Sequence, residues 1–344
     1  MNEPSGLAPE VVTIRDLHIR FNLGREKKTS LFRPAAKKTL HAVRGISLSI
    51  RQGETFSIVG ESGCGKSTVA RALAGLYQPA SGEINYAWRS PQMAGTVGQN
   101  GTQMIFQDPY ASLNPRWRIG RSLAEPLVLA KKVGTTRQAR EYCGDLLTQV
   151  GLSAGDLDKF PHEFSGGQRQ RISIARALAT QPGFLICDEP TSALDVSVQA
   201  QVLNLMRKLQ RENGLTYFFI SHNMAVISHI SDRVGVMYLG RLVEQGSVEE
   251  IFTHPAHPYT RMLMAAIPQF DAPSSAREPI RGEAPSPLAP PPGCAFAPRC
   301  PYAKPLCHQA MPPAHSLSDN HQLECHFPIE VMAGSASIPL AKVS

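Results

Sequence analysis

One octapeptide limits the possible folds of this chain more than any other feature. Gly60-Glu61-Ser62-Gly63-Cys64-Gly65-Lys66-Ser67 fits the pattern G-x-x-x-x-G-K-[ST]. The pattern works only between a strand and a helix, and both flanks are present. Thr55–Val59 is a short apolar run, and VARALAGLY after the loop reads as a helix. Glycines let backbone N–H groups curl around a phosphate, and the helix N-terminus adds a favourable dipole. Gly60, Ser62, Gly63, Gly65, Lys66, Ser67 and Thr68 are therefore candidate phosphate-binding residues. Lys66 would neutralise β and γ oxygens, and the Ser67 hydroxyl would ligate Mg²⁺. At average composition a chance match in such a chain is on the order of 1%, but the loop alone does not say which nucleotide is hydrolysed or for what purpose.

The second half of such a site is Phe184-Leu-Ile-Cys-Asp188-Glu189. An apolar strand would deliver Asp188 to Mg²⁺ at its C-terminal end, where ligands bind in open α/β sheets. Glu189 would then polarise an attacking water. Alternating apolar residues in VVTIRDLHIRF and GISLSI predict an antiparallel sheet at the start of the chain. A stretch from about Leu123 to Leu152 is helical in pattern. Strand and helix signals then alternate through FLIC, VQAQVLNLMRKLQ, TYFFI and the segment after His222. This predicts an α/β fold around a mostly parallel sheet, with the helical stretch inserted.

Composition matters mainly for what it excludes. Of 344 residues, 42% are hydrophobic and 18% charged, which is globular rather than disordered. The net charge of +7 permits an anionic partner but singles none out. The densest basic stretch, Arg25 to Lys28 with Arg33, Lys37 and Lys38, reads as a solvated loop. No run approaches the ~20 apolar residues of a membrane span. The start, MNEPSGLAPE, lacks a secretory signal, so a soluble cytoplasmic protein is expected. Seven prolines between Ala272 and Gly293 mark a stiff linker. The expected organisation is a cassette over 1–268, with its helical part at about 108–180, a linker over 269–293 and a cysteine-bearing extension over 294–344.

Between the two halves of the site lies Phe164-Ser165-Gly166-Gly167-Gln168-Arg-Gln-Arg. Ser165 is a good N-cap, and two glycines allow close approach at a helix start, which makes a second anion site. This segment resembles the signature of the ABC ATPase family and stands in the expected order. Gln107 in IFQDP resembles the family's Q-loop, Ser192-Ala-Leu-Asp195 its D-loop, and His222 in FISHN its switch histidine. The motif resemblance spans about residues 11 to 265. It implies a P-loop cassette with a RecA-like core, an antiparallel β subdomain and an inserted helical subdomain. It also implies ATP and Mg²⁺, the latter held by Ser67, Gln107 and Asp188, with catalysis by Glu189, Gln107 and His222. Ser165, Gly166, Gly167, Gln168 and Asp195 would meet nucleotide held by a head-to-tail partner. Phe164 departs from the family's usual Leu. The insertion after Asn22 blurs the register of the base-stacking aromatic, for which Phe32 is a candidate.

PHEFSGGQRQR, HPYTRMLMAAIP and GCAFAPRCPYAKPLC closely resemble the ATPases of oligopeptide and dipeptide importers. The N-terminal loop GREKKTSLFRPAAKK resembles the second of their two ATPases. The resemblance implies a related ATPase as heterodimer partner, two transmembrane permease subunits, a periplasmic or lipoprotein substrate-binding protein, and no nucleic acid. The place implied is the cytoplasmic face of the inner membrane. Cys294-x5-Cys300-x6-Cys307-x17-Cys325 offers four thiolates for a tetrahedral Zn²⁺ or an iron–sulfur cluster, or is a set of reduced cysteines in a loose tail. Members of the resembled family carry a [4Fe–4S] cluster there. The competing function classes are a soluble ABC ATPase acting on ribosomes or DNA, which leaves HPYT and the cysteine tail idle, and a binding-only cassette, against which Glu189 stands.

Overall fold

A computed structural model describes residues 8–25, 37–87, 101–266 and 282–329. Two long strands, β1 (Glu10–Arg25) and β2 (Lys37–Arg51), pair antiparallel and place Ile14 opposite Leu48 and Leu17 opposite Ile46. Their alternating apolar positions are fully buried while the intervening residues reach solvent, the period-two pattern of a sheet with one wet face. A third strand, β4 (Ser81–Tyr86), joins β1 to complete the order β2-β1-β4.

The second sheet is larger and buried on both faces. Its centre comprises β3 (Thr55–Val59), β5 (Thr102–Ile105), β6 (Phe184–Asp188), β7 (Thr216–Ile220) and β8 (Arg233–Tyr238), with parallel pairing throughout. Every residue of β3, β6 and β7 is buried, as expected of a parallel sheet covered on both sides. Alternation decides which layer each side chain joins. Phe56, Ile58, Phe184, Ile186, Phe218 and Ile220 pack toward the antiparallel sheet and α1 (Lys66–Leu73). Leu185, Cys187, Tyr217 and Phe219 pack on the opposite side, against α5 (Gly166–Leu178) and α6 (Val196–Asn213).

Between β5 and β6 the chain forms α2 (Pro109–Ser112), α3 (Ile119–Leu129), α4 (Thr136–Gln149) and then α5. The stretch from Leu123 to Leu152, helical in pattern, forms two helices rather than one. Lys131 takes a left-handed φ of 53° and Thr135 restarts the helix by accepting from Gln138 N–H at 3.3 Å. A capping residue inside an apolar-periodic run is easily read as one more polar position.

After β8, a hairpin leads to β9 (Arg241–Ser247), then α8 (Val248–Thr253) and α9 (Pro258–Ala265). Residues 282–329 fold back on this edge. They contain α10 (Pro305–Gln309) and the strands β10 (Ala314–Ser316) and β11 (Gln322–Glu324). β11 pairs antiparallel with β9, so the large sheet reads β10-β11-β9-β8-β3-β7-β6-β5. Ala295 and Phe296 belong to the same core as the parallel strands. The described part of the expected linker, 282–293, lies against β2, where His41 N–H donates to the Pro287 carbonyl at 3.2 Å. A buried carboxylate holds this edge together. Glu244 of β9 accepts from His321 Nε2 at 2.7 Å and from the backbone N–H groups of Ala256 and His257 at 2.8 and 3.0 Å.

Candidate nucleotide site

At the C-terminal ends of β3, β6 and β7 a pocket of about 590 Å³ opens. Its walls include Ser62, Gly63, Gly65, Lys66, Ser67 and Thr68 from the loop after β3. Gln107, Glu189 and His222 line it from three further loops. The loop could not be built without glycine at two of its positions. A Cβ at Gly60, where φ is 151°, would lie 2.1 Å from the Met237 carbonyl oxygen. At Gly65, with φ 110°, it would lie 2.4 Å from that of Ala42. Strands β8 and β2 therefore hold the loop backbone in a tight curl. Gly65 also precedes α1, which puts a helix N-terminus at the pocket floor.

Each expected side chain has a defined partner. Lys66 is buried, and its ammonium donates to the Gly60 and Glu61 carbonyls at 2.8 and 3.0 Å. Ser67 Oγ donates to Asp188 Oδ1 at 2.9 Å. Burial pushes the Asp188 carboxyl above the usual carboxylate range, opposed by the Ser67 hydrogen bond and nearby Arg71. A half-desolvated carboxylate beside a hydroxyl is suited to a hard divalent cation, which would favour its charged form. Ser67 and Asp188 thus fit Mg²⁺, while the Gln107 side chain bonds to Glu189.

Glu189 is the meeting point of the other loops. Its Oε2 accepts from Gln107 Nε2 at 3.1 Å and lies 3.1 Å from His222 Nδ1. The Glu189 backbone has φ 48°, a left-handed conformation that costs a residue with a Cβ about 1–3 kcal/mol. Its N–H bonds to the Ile220 carbonyl at 3.1 Å, so the parallel pairing of β6 and β7 enforces that geometry. One carboxylate oxygen shared between an amide and an imidazole can accept a proton from an attacking water while both neighbours fix its direction.

The remaining motif residues lie elsewhere. Ser165, Gly166, Gly167, Gln168 and Asp195 do not line this pocket. Ser165 caps α5 through Gln168 N–H at 3.3 Å, and Gln168 Oε1 accepts from Ser165 N–H at 2.9 Å. Asp195 stands at the N-terminus of α6 with its side chain making no cap bond, followed by Val196, which is 83% exposed. The two helix starts touch: a Cβ on Gly167 would meet Val198 Cγ1 at 2.4 Å. The structure therefore brings the two helix starts together apart from the pocket, with Ser165, Gln168 and Asp195 exposed and Gly167 buried.

Phe21, Leu40, His41 and Pro287 also line the pocket. Phe32, the expected stacking aromatic, lies outside the described residues. Phe21 is held edge-on against Tyr77, with ring centroids 5.1 Å apart. Alternation along β1 could have indicated Phe21, since it ends the apolar series begun at Val12.

The four C-terminal cysteines, Cys294, Cys300, Cys307 and Cys325, line one pocket together with Pro258, Phe296 and Phe327. Among the described residues no group of three or more His, Cys, Asp or Glu is arranged to hold a metal ion, so the expected Zn²⁺ or [4Fe–4S] site is not formed by these side chains as they stand. Burial raises the thiol pKa values of Cys294 and Cys300, and that of Cys325 to about 11.

Comparison with known proteins agrees with this geometry. The ABC transporter family matches residues 43–192, and the oligopeptide/dipeptide transporter C-terminal region matches 243–307. The oligopeptide transport ATP-binding protein OppF of Escherichia coli is 47% identical over 324 residues, which covers 92% of this chain and 95% of that protein. The di/tripeptide transport ATP-binding protein DppF of Pseudomonas aeruginosa is 46% identical over 321 residues, covering 92% and 97%. Among solved structures, cbiO1 from Clostridium perfringens, part of an ABC transporter complex, aligns with a TM-score of 0.57 at 26% identity. That alignment covers 71% of this chain and 90% of that one. With the phosphate loop, the Asp-Glu strand and the glutamine and histidine loops joined in one pocket, the chain belongs to the ABC transporter family as an ATP-binding, ATP-hydrolysing subunit.

Proposed function

We propose that this chain is the ATPase subunit of an importer for dipeptides or oligopeptides. The observation that carries the reading is the identity of 47% and 46%, over nearly the whole chain, to ATP-binding proteins of oligopeptide and di/tripeptide transport. The match of residues 243–307 to the C-terminal region of such transporters supports it.

In this reading Lys66 and the loop N–H groups bind the β- and γ-phosphates, and Ser67, Gln107 and Asp188 hold Mg²⁺. The ion, when bound, neutralises charge on the phosphate oxygens. Glu189 orients the attacking water and takes its proton, with Gln107 and His222 fixing the carboxylate. Ser165, Gly166, Gly167, Gln168 and Asp195 act on nucleotide held by a related ATPase docked head to tail. The exposure of Ser165, Gln168 and Asp195 outside the pocket supports that arrangement. Closure of the pair on ATP and reopening after hydrolysis drive two permease subunits fed by a substrate-binding protein.

A groove of about 210 Å³ beside the Gln107 loop suits a permease contact. It is lined by Phe106, Leu129 and the Glu125–Arg176 ion pair, whose Nη2–Oε2 distance is 2.7 Å. Phe106, Val128 and Leu129 are exposed around it. No helix among the described residues is long and apolar enough to cross a membrane, which accords with a peripheral subunit on the cytoplasmic face.

The cysteine pocket belongs to the same reading. Four thiols lining one apolar pocket, without the paired C-x2-C spacing of zinc fingers, suit a [4Fe–4S] cluster better than a single Zn²⁺. Anaerobic purification should give about four irons with matching acid-labile sulfide per chain, lost in Cys300→Ser. Iron-free wild-type protein would overturn the cluster. For the importer itself, the tagged chain is purified from native membranes and its partners are identified. Two polytopic membrane proteins and a related ATPase support the reading, whereas ribosomal or DNA-repair partners overturn it.

A further inference from the structure

The phosphate loop is gripped by residues far along the chain. Glu61, its second residue, is engaged at three points. Its N–H donates to Tyr259 Oη at 3.0 Å, and its carbonyl accepts from Lys66 Nζ at 3.0 Å. Its carboxylate receives Arg299 Nη1 and Nη2 at 2.8 and 2.9 Å. The Arg299 side chain is only 4% exposed and also donates to Tyr238 Oη at 3.2 Å. Such a two-pronged guanidinium–carboxylate pair fixes direction as well as distance, which an ammonium does not.

Two consequences follow for nucleotide binding. An unpaired carboxylate one residue into a loop that must hold a triphosphate would repel it, and Arg299 removes that charge. The Glu61 carbonyl is also one of the two rests of the Lys66 ammonium, so the orientation of this peptide sets where that ammonium waits. Arg299 lies on the 3-10 turn Ala297–Arg299, between two cysteines of the thiol pocket. The same C-terminal segment also lines the nucleotide pocket through Pro287.

We propose that Arg299 is a positioning residue for ATP binding: it neutralises Glu61 and pins the phosphate loop, making nucleotide affinity depend on the seating of the cysteine-bearing segment. This rests on the reading of residues 60–67 as the phosphate site. The test is equilibrium binding of Mg-ATP to the purified full chain, with thermal unfolding measured alongside. Arg299→Met leaves the Glu61 charge unpaired beside the phosphates and raises Kd about 10-fold or more, or 1.4 kcal/mol per decade. Arg299→Lys keeps the charge and loses the fork, so its Kd falls between those of wild type and Arg299→Met.

The double variant Glu61→Gln/Arg299→Met has neither charge, and its Kd returns to within about 3-fold of wild type, because removing both partners of a pair costs less than removing one. In the assembled complex at saturating ATP, kcat of Arg299→Met stays near wild type while KM rises. A role confined to stability would lower the melting temperature without moving Kd, and the double variant would not recover. An Arg299→Met Kd within 2-fold of wild type, or a double variant binding no better than Arg299→Met, overturns the proposal. Lys66→Ala separates the two readings: if it binds ATP normally, the phosphate-site assignment falls and this proposal with it.

Discussion

Replacing Glu189 by Gln tests the centre of the site with one atom changed. Glu189 Oε2 is 3.1 Å from both Gln107 Nε2 and His222 Nδ1, and its side chain is 16% exposed. The amide has the same shape and can keep an oxygen toward one of these neighbours, so the pocket should persist. What it cannot do is take a proton. General-base catalysis contributes about 10²- to 10⁴-fold, which corresponds to roughly 2.7–5.4 kcal/mol at 1.36 kcal/mol per decade. Phosphate release at this chain's Glu189 should fall by that factor, while ATP affinity changes by less than about 3-fold. Steady-state turnover of the assembled transporter, read beside equilibrium ATP binding, distinguishes the two. Turnover indistinguishable from wild type would refute the role assigned to Glu189. The backbone supplies a second readout. At φ 48°, alanine carries the left-handed penalty of about 1–2 kcal/mol and glycine does not, though glycine costs about 0.5–1 kcal/mol in chain entropy. Glu189→Gly should therefore unfold at a higher urea concentration than Glu189→Ala, with both inactive. The reverse order would show that the strain is not present in solution.

Three other substitutions probe the supports of the site. Gly60→Ala places a Cβ 2.1 Å from the Met237 carbonyl, so ATP binding should be lost, with a melting temperature several degrees lower by calorimetry; normal binding would contradict the packed loop. Tyr259→Phe strands the Glu61 N–H and should cost about 1–3 kcal/mol, seen as weaker ATP binding, lower stability or both. No change in either would remove the hydroxyl from the loop's supports. His321→Leu removes one hydrogen-bond partner of the buried Glu244 carboxylate and should cost about 1–3 kcal/mol. Limited proteolysis should then cut within 282–329 before the cassette, and unaltered protection would count against the pair as the anchor of that edge.

The residues that make the catalytic pocket were legible because their chemistry is local. Gly60 to Thr68 and Phe184 to Glu189 each announce a strand end followed by a loop, and a parallel sheet can present such ends only along one edge. Resemblance then supplied Gln107 and His222, and the sheet brings both within 3.1 Å of Glu189. Ser165 and Gln168 were readable as a capping box for the same reason, since their hydrogen bonds span three residues. Other features were hidden by distance. Arg299 meets Glu61 across 238 positions, and β11 finds β9 across 77, contacts that no periodicity encodes. Phe21 and Pro287 share a pocket wall although 266 positions separate them in the numbering. Tyr259 and Arg299 lay in segments noted only for their resemblance, with no role readable, because each acts through a partner far away in the chain. The sequence alone determined the fold class and the phosphate chemistry, since these depend on short-range backbone geometry and on which residue types can cradle an anion. Only the tertiary structure decided that the C-terminal segment braces the phosphate loop, because that depends on which surfaces the buried aromatics Tyr238, Tyr259 and Phe296 bring together.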